Sequence, residues 1–273
     1  MDKEKLVILD LEGTLGNIFV EGYRRPWINI RPRVIGGLKR LLQNSHVVLA
    51  SAADLEVISP LINYFKEQGF KFERLYDRLK VEPKFPENFD IMPFKDLSVI
   101  YQDWGIPSKD IEKKVVVVED LQLKHDEIDK KQGDELIYGK NAESDIPHYN
   151  TLGNPLPYKG KVPVTILIPH LLKQKDYEAV EMTVIPDIID ELFELGKGDF
   201  LRGYDLFNKT GIKKLETTMF RKNKENFKRL YAQSEVLDNP FMKRLFEEFT
   251  HRYLIIQESQ FPTQKYQTIL IEQ

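Results

Sequence analysis

Four short apolar runs punctuate the chain, at 6–9, 47–50, 115–118 and 164–168, and each is continuous rather than alternating with polar residues. Runs of this length, rich in Val and Ile, suit strands buried on both faces. Helical spacing fills the intervals. Residues 34–42 follow Arg31-Pro32, which favours a helix start, and 55–68 follow Asp54 as N-cap. Residues 94–104 and the segment from Asp110 onward lead to the third run. Strand and helix in alternation predict an α/β fold with a parallel sheet whose functional groups gather at the carboxyl ends of its strands.

The strand ends are where chemistry is expected, and they carry it. The first run delivers Asp10 and Glu12, then Gly13 and Thr14. One intervening residue puts both carboxylates on one face of an extended chain, and Gly13 permits a sharp exit. The second run ends at Ser51, whose hydroxyl can donate to a phosphate oxygen. The third ends at Glu119-Asp120, a carboxylate pair able to hold a divalent cation. Lys95, in Phe94-Lys95-Asp96-Leu97-Ser98, precedes that pair and can neutralise phosphoryl oxygens. Taken singly, Lys95 reads as a solvated helix-start charge, Ser51 as a cap and Glu119-Asp120 as a turn; their order gives them weight.

Composition removes several classes. The 40 basic and 43 acidic residues of this 273-residue chain sum to a net charge of -3, so no broad footprint for nucleic acid or anionic membrane is visible. There is no cysteine, which excludes disulfides, thiolate metal sites and cysteine nucleophiles. The five histidines, His46, His125, His148, His170 and His251, lack metal-ligand spacing and read as surface or packing residues. The first apolar run is too short for a signal peptide or a membrane span, so an intracellular, cytoplasmic protein is expected.

Organisation shifts near Lys173. Residues 1–172 read as the catalytic α/β unit and 173–273 as an α-helical C-terminal domain or extension. Ile185, Ile188, Ile189, Leu192 and Phe193 recur at helical spacing, as do Phe241, Leu245, Phe246 and Phe249, with Asp238-Asn239-Pro240 as a cap and first turn. Residues 126–163, rich in polar, Gly and Pro residues, read as a long surface excursion. The basic stretch 209–229, with Phe220 and Phe227 interleaved, reads mainly as a solvated helix face; the helical region could otherwise meet a protein partner or an anionic surface.

The sequence 6–15, Leu-Val-Ile-Leu-Asp-Leu-Glu-Gly-Thr-Leu, resembles motif I of the haloacid dehalogenase (HAD) superfamily, Asp-x-Asp-Gly-Thr, with glutamate as the second acid. Arg31-Pro32, Ser51-Ala52-Ala53, Arg74-Leu75-Tyr76 and Lys95-Asp96-Leu97-Ser98 resemble the RNA polymerase II C-terminal-domain phosphatase branch, also called NLI-interacting-factor-like, over roughly residues 5 to 125. The resemblance implies a HAD-like Rossmannoid sheet. It implies Asp10 as the nucleophile, Glu12 as general acid and base, and Lys95 as the charge partner of the phosphoryl group. Asp10, Asp120 and the Glu12 backbone carbonyl would ligate Mg2+, with Glu119 acting through water or from outside. Thr14 and Ser51 would bond the backbone turn and the phosphoryl group.

HAD enzymes acting on small metabolites usually carry a cap domain, but 16–46 and 52–94 are each too short for one beyond the flap, helices and short strands they must supply. A capless, open site follows, which suits a phosphomonoester on a phosphorylated protein. Two alternatives come from other classes. One is a catalytically weak HAD-fold binding module. The other, a nucleic-acid end phosphatase, is disfavoured by the near-neutral charge.

Overall fold

The computed structural model describes residues 3–19, 27–81, 95–121, 149–150, 163–169, 171, 178–209, 253–255, 262–265 and 267–270. Among them a six-stranded sheet runs β11(Tyr253–Ile255), β9(Val164–Pro169), β7(Val115–Leu121), β1(Lys5–Leu9), β4(Ser45–Ala50), β5(Arg74–Tyr76). Every neighbouring pair in it is parallel. All four predicted strands are therefore present, each within a few residues of the reading from sequence.

Both faces of this sheet are covered, which is why its central strands are apolar along most of their length. Alternation along β1 sends Val7 and Leu9 into one hydrophobic cluster and Leu6 and Ile8 into another. The first cluster takes Leu38 and Leu41 from α1(Val34–Asn44) and Ile58, Leu61 and Phe65 from α2(Leu55–Glu67). The second takes Ile100 and Tyr101 from α4(Ser98–Asp103) and Ile111 from α5(Ser108–Lys114), with α3(Arg78–Val81) supplying Val81. Helix α2 starts at its expected N-cap Asp54, although that side chain makes no capping bond.

Smaller pairings surround the sheet. β2(Gly16–Phe19) and β3(Trp27–Ile30) form an antiparallel hairpin immediately after β1, and β13(Gln267–Leu270) adds to the other side of β3. β10(Glu178–Val180) pairs with β12(Thr263–Lys265), and β6(Lys95–Asp96) with β8(Tyr149–Asn150). In the described parts of 16–46 and 52–94 the chain holds only this hairpin, α1, α2, β5 and α3, with no inserted domain.

After 173, helix α6(Val184–Leu195) carries the predicted spacing, and a second helix, α7(Phe200–Lys209), comes after it. The region also supplies β10 to β13, strands of three or four residues whose period is too short to be read from sequence. Its described residues do not stand apart from the sheet. Ile185, Ile189, Leu192, Phe200 and Phe207 share one apolar cluster with Val7, Leu9 and Leu38. Lys5 of β1 pairs with Asp190 and lies 5.0 Å from the centroid of the Phe193 ring. Most of 126–163, the basic stretch beyond Lys209, the Asp238-Asn239-Pro240 cap and the 241–249 helix lie outside the described residues. No described helix is long and apolar enough to cross a membrane.

Candidate active site

Chain order reverses direction across the sheet at β1, with β4 and β5 on one side and β7 and β9 on the other. Parallel α/β sheets open a crevice at such a switch point, beyond the strand ends. Asp10 stands there. Its N–H donates to Val118 O at 2.9 Å, so the backbone stays in the ladder as the side chain reaches the tip.

Across the crevice, the last residues of β7 bring Glu119 and Asp120 alongside. One carboxylate oxygen from each of Asp10, Glu119 and Asp120 lies within 4.8 Å of the others, and all three residues are buried. Lys95 reaches the group from β6: its Nζ donates to Asp10 Oδ1 and, at 3.0 Å, to Glu119 Oε2. The described carboxylates of this cluster thus outnumber the ammonium three to one.

That imbalance governs the electrostatics. Burial pushes Asp10 above its ordinary carboxylate value; Lys95 pulls it down, and the neighbouring Asp120 charge pushes it up again. Glu119 is held well above the usual range by burial and then by the Asp10 charge, with Asp120 adding to both through charge and a hydrogen bond. For Lys95 burial opposes the charged form, yet Asp10 and Glu119 outweigh it and raise the ammonium above its ordinary value. A buried group this rich in negative charge is built to take up a cation. Asp10 Oδ2 adds a specific sign: it is buried and makes no hydrogen bond. An all-oxygen donor set of Asp10, Glu119 and Asp120 fits a hard divalent ion such as Mg2+.

The turn leaving β1 carries the other motif residues. Leu15 N–H and Gly16 N–H both donate to Leu11 O, at 2.9 and 3.1 Å, and Gly13 occupies the left-handed region at φ 77°, where a side chain would be strained. Gly16 is also required by space, since a Cβ there would stand 2.7 Å from Leu61 Cδ2 and 2.9 Å from Asn29 O. Glu12 sits on this turn, half-buried and outside the cluster of three carboxylates. Thr14 departs from expectation: its hydroxyl is buried without a hydrogen bond, and it is the Thr14 backbone carbonyl that ties the turn, by accepting from Arg31 Nε. Ser51, at the neighbouring tip of β4, is buried; its N–H donates to Tyr76 O at 2.9 Å and its Oγ accepts from Ala53 N–H at 3.1 Å, leaving the hydroxyl proton to donate elsewhere.

Two residues at this site escaped the sequence reading. Arg31, buried despite its charge, donates from Nη2 to Gly13 O at 3.0 Å and from Nη1 to Val180 O at 3.2 Å. Asn17 accepts from Gly13 N–H at 2.6 Å. Arg31 stood in the sequence as the residue before a helix-starting proline and as part of the Arg31-Pro32 motif, and nothing in its spacing marks a contact with Gly13.

The fold and site define a parallel α/β unit with a buried cluster of three carboxylates and one lysine at the switch point of its sheet. Residues 5–128 match the family model for NLI interacting factor-like phosphatase, the same stretch over which the motifs resemble that branch. Among solved structures, the chain is similar to Fcp1, an essential RNA polymerase II CTD phosphatase, at 12% identity and TM-score 0.38, covering 71% of this chain and 63% of that one. It is also similar to the fission yeast RNA polymerase II CTD phosphatase Fcp1 bound to beryllium fluoride, at 11% identity and TM-score 0.38, covering 78% of this chain and 66% of that one. In both cases the chain spans less than two thirds of the neighbour. Comparison with curated proteins finds no match.

Proposed function

We propose that this chain is a Mg2+-dependent phosphatase that hydrolyses a phosphomonoester, on a phosphoprotein, through an aspartyl-phosphate on Asp10. The observation that carries the reading is Asp10 itself: buried at the switch point, with one carboxylate oxygen on Lys95 and the other without a partner. An oriented, desolvated carboxylate of this kind is a competent nucleophile toward phosphorus.

In the first step Asp10 attacks the phosphoryl group in line, and Glu12 gives a proton to the departing oxygen. In the second, Glu12 takes a proton from water, the hydroxide displaces Asp10 from phosphorus, and inorganic phosphate leaves. Lys95 keeps the Asp10 carboxylate aimed and offsets charge on the phosphoryl oxygens, while Ser51 donates to one of them. Asp10, Asp120 and the Glu12 carbonyl would hold Mg2+, with Glu119 tied to Lys95 and acting from outside or through water. When bound, the ion would balance the excess carboxylate charge and draw charge from the phosphoryl oxygens. The shortness of 16–46 and 52–94, with no inserted domain among their described residues, supports a bulky substrate such as a protein.

A second reading, a catalytically weak binding module, is favoured by one observation: the longer Glu12 occupies the place of an aspartate. The test is hydrolysis of a generic aryl phosphate by wild type and Asp10→Asn, each with Mg2+ and with EDTA. Turnover that requires both Asp10 and Mg2+ is expected. A folded wild-type protein that turns over neither an aryl phosphate nor a phosphopeptide panel would favour the binding module.

A further inference from the structure

We infer that Arg31 and Asn17 are positioning residues that clamp the turn leaving β1 onto the segment around Leu171 and Val180, so that residues beyond the family-matched stretch hold Asp10 and Glu12 in register. The inference deepens the phosphatase reading above and rests on it for its catalytic consequence.

The clamp is a closed set of hydrogen bonds around one residue, Gly13. Gly13 N–H donates to Asn17 Oδ1 at 2.6 Å, Asn17 Nδ2 donates to Leu171 O at 2.6 Å, and Leu171 N–H donates back to Gly13 O at 3.1 Å. Gly13 O also accepts from Arg31 Nη2 at 3.0 Å. The same guanidinium reaches Thr14 O through Nε and Val180 O through Nη1 at 3.2 Å. Arg31, Asn17 and Leu171 are all buried, so water does not compete for these bonds. A planar guanidinium can serve three carbonyls in fixed directions; a lysine ammonium on a flexible stem cannot.

The need for such a clamp follows from the neighbouring charges. Asp10 faces Glu119 and Asp120, which repel it, and it leads directly into a turn whose Gly13 has the loosest backbone of any residue type. Local hydrogen bonds within 11–16 close the turn but do not fix it against the rest of the molecule. Arg31 just beyond β3, Leu171 just beyond β9 and Val180 at the end of β10 do, from three separate elements. A displacement near 1 Å at the reacting carboxylates costs on the order of a hundredfold in rate.

Two measurements on the full chain decide it: amide hydrogen exchange across 10–17, with 47–53 as internal reference, and kcat and KM on an aryl phosphate with Mg2+. Both are made on wild type, Arg31→Lys and Asn17→Ala. Faster exchange confined to 10–17, with kcat lowered roughly a hundredfold and KM within about threefold, is expected. Unchanged exchange in 10–17 overturns the clamp. Faster exchange with kcat retained overturns the positioning role. If both variants fail to fold, the network is a determinant of stability and the inference falls. Wild-type inactivity would instead defeat the phosphatase reading, while the exchange measurement still judges the clamp.

Discussion

The tips of β1 and β4 lie side by side in one sheet and are held in opposite ways. The β4 tip is fastened locally: Ser51 bonds Tyr76 on the adjoining strand and Ala53 two residues on, and Arg78 N–H caps Ala53 O at 3.0 Å. The β1 tip is fastened from afar, by Arg31, Leu171 and Lys95. Charge accounts for the difference. A neutral hydroxyl needs only its own loop and the adjoining strand, whereas a buried carboxylate beside two others must be restrained against repulsion and compensated. Placement at the sheet end is thus inexpensive for a hydroxyl and demanding for an acid.

Removing compensation at the β1 tip should give the largest effect. Lys95→Met leaves three buried carboxylates without their ammonium and is expected to destabilise the protein by about 3–5 kcal/mol in urea unfolding. Adding Glu119→Gln should recover part of that loss, because it removes one of the charges left behind. Full additivity of the two changes would break the account of the tip as one coupled charge group.

Gly13→Ala tests the backbone of the same tip. At φ 77° a Cβ is strained, and a loss of about 1–2 kcal/mol is expected, read as a lower denaturation midpoint at unchanged slope. Ser51→Ala tests the locally fastened tip. Its stability loss should stay near about 1 kcal/mol, that of one hydrogen bond, while phosphatase activity falls more than stability does. A Ser51 variant as unstable as the Gly13 variant would erase the contrast between the tips.

The smallest effect lies far from the crevice, in a partly exposed charge group. Burial raises Glu73, but hydrogen bonds from Lys3 and His46 outweigh it and hold the carboxylate below its ordinary 4.5. An acid depressed in the folded state stabilises it above the unfolded value, and that contribution disappears as pH falls through the folded value. Thermal midpoints of wild type and Glu73→Gln should therefore differ slightly near neutral pH and converge below 4.5, by an amount within the range of about 1 kcal/mol for surface pairs. Convergence on raising the pH instead would reverse the sign and refute the pairing.

Features written in a local period or a local order were legible along the chain. Continuous apolar runs announced β1, β4, β7 and β9, since strands covered on both faces admit no polar alternation. The residues at their ends followed, because a parallel sheet puts all its carboxyl ends on one side. Asp10, Glu119 and Asp120 were readable for that reason and Lys95 by its order before the last pair, and the four do meet. Ile185, Ile189 and Leu192 announced their helix by spacing alone.

What holds the first tip still is visible only once distant elements have come together. Asn17 and Leu171 stand 154 positions apart, and Arg31 reaches Val180 across 149. The short strands β10 to β13 likewise exist through their partners, being too brief to carry a period of their own. The burial of Thr14's hydroxyl and the use of its carbonyl instead were also settled by packing. Periodicity records how a segment meets the core, whereas a hydrogen bond between distant buried groups depends on how several elements converge, which no single segment encodes.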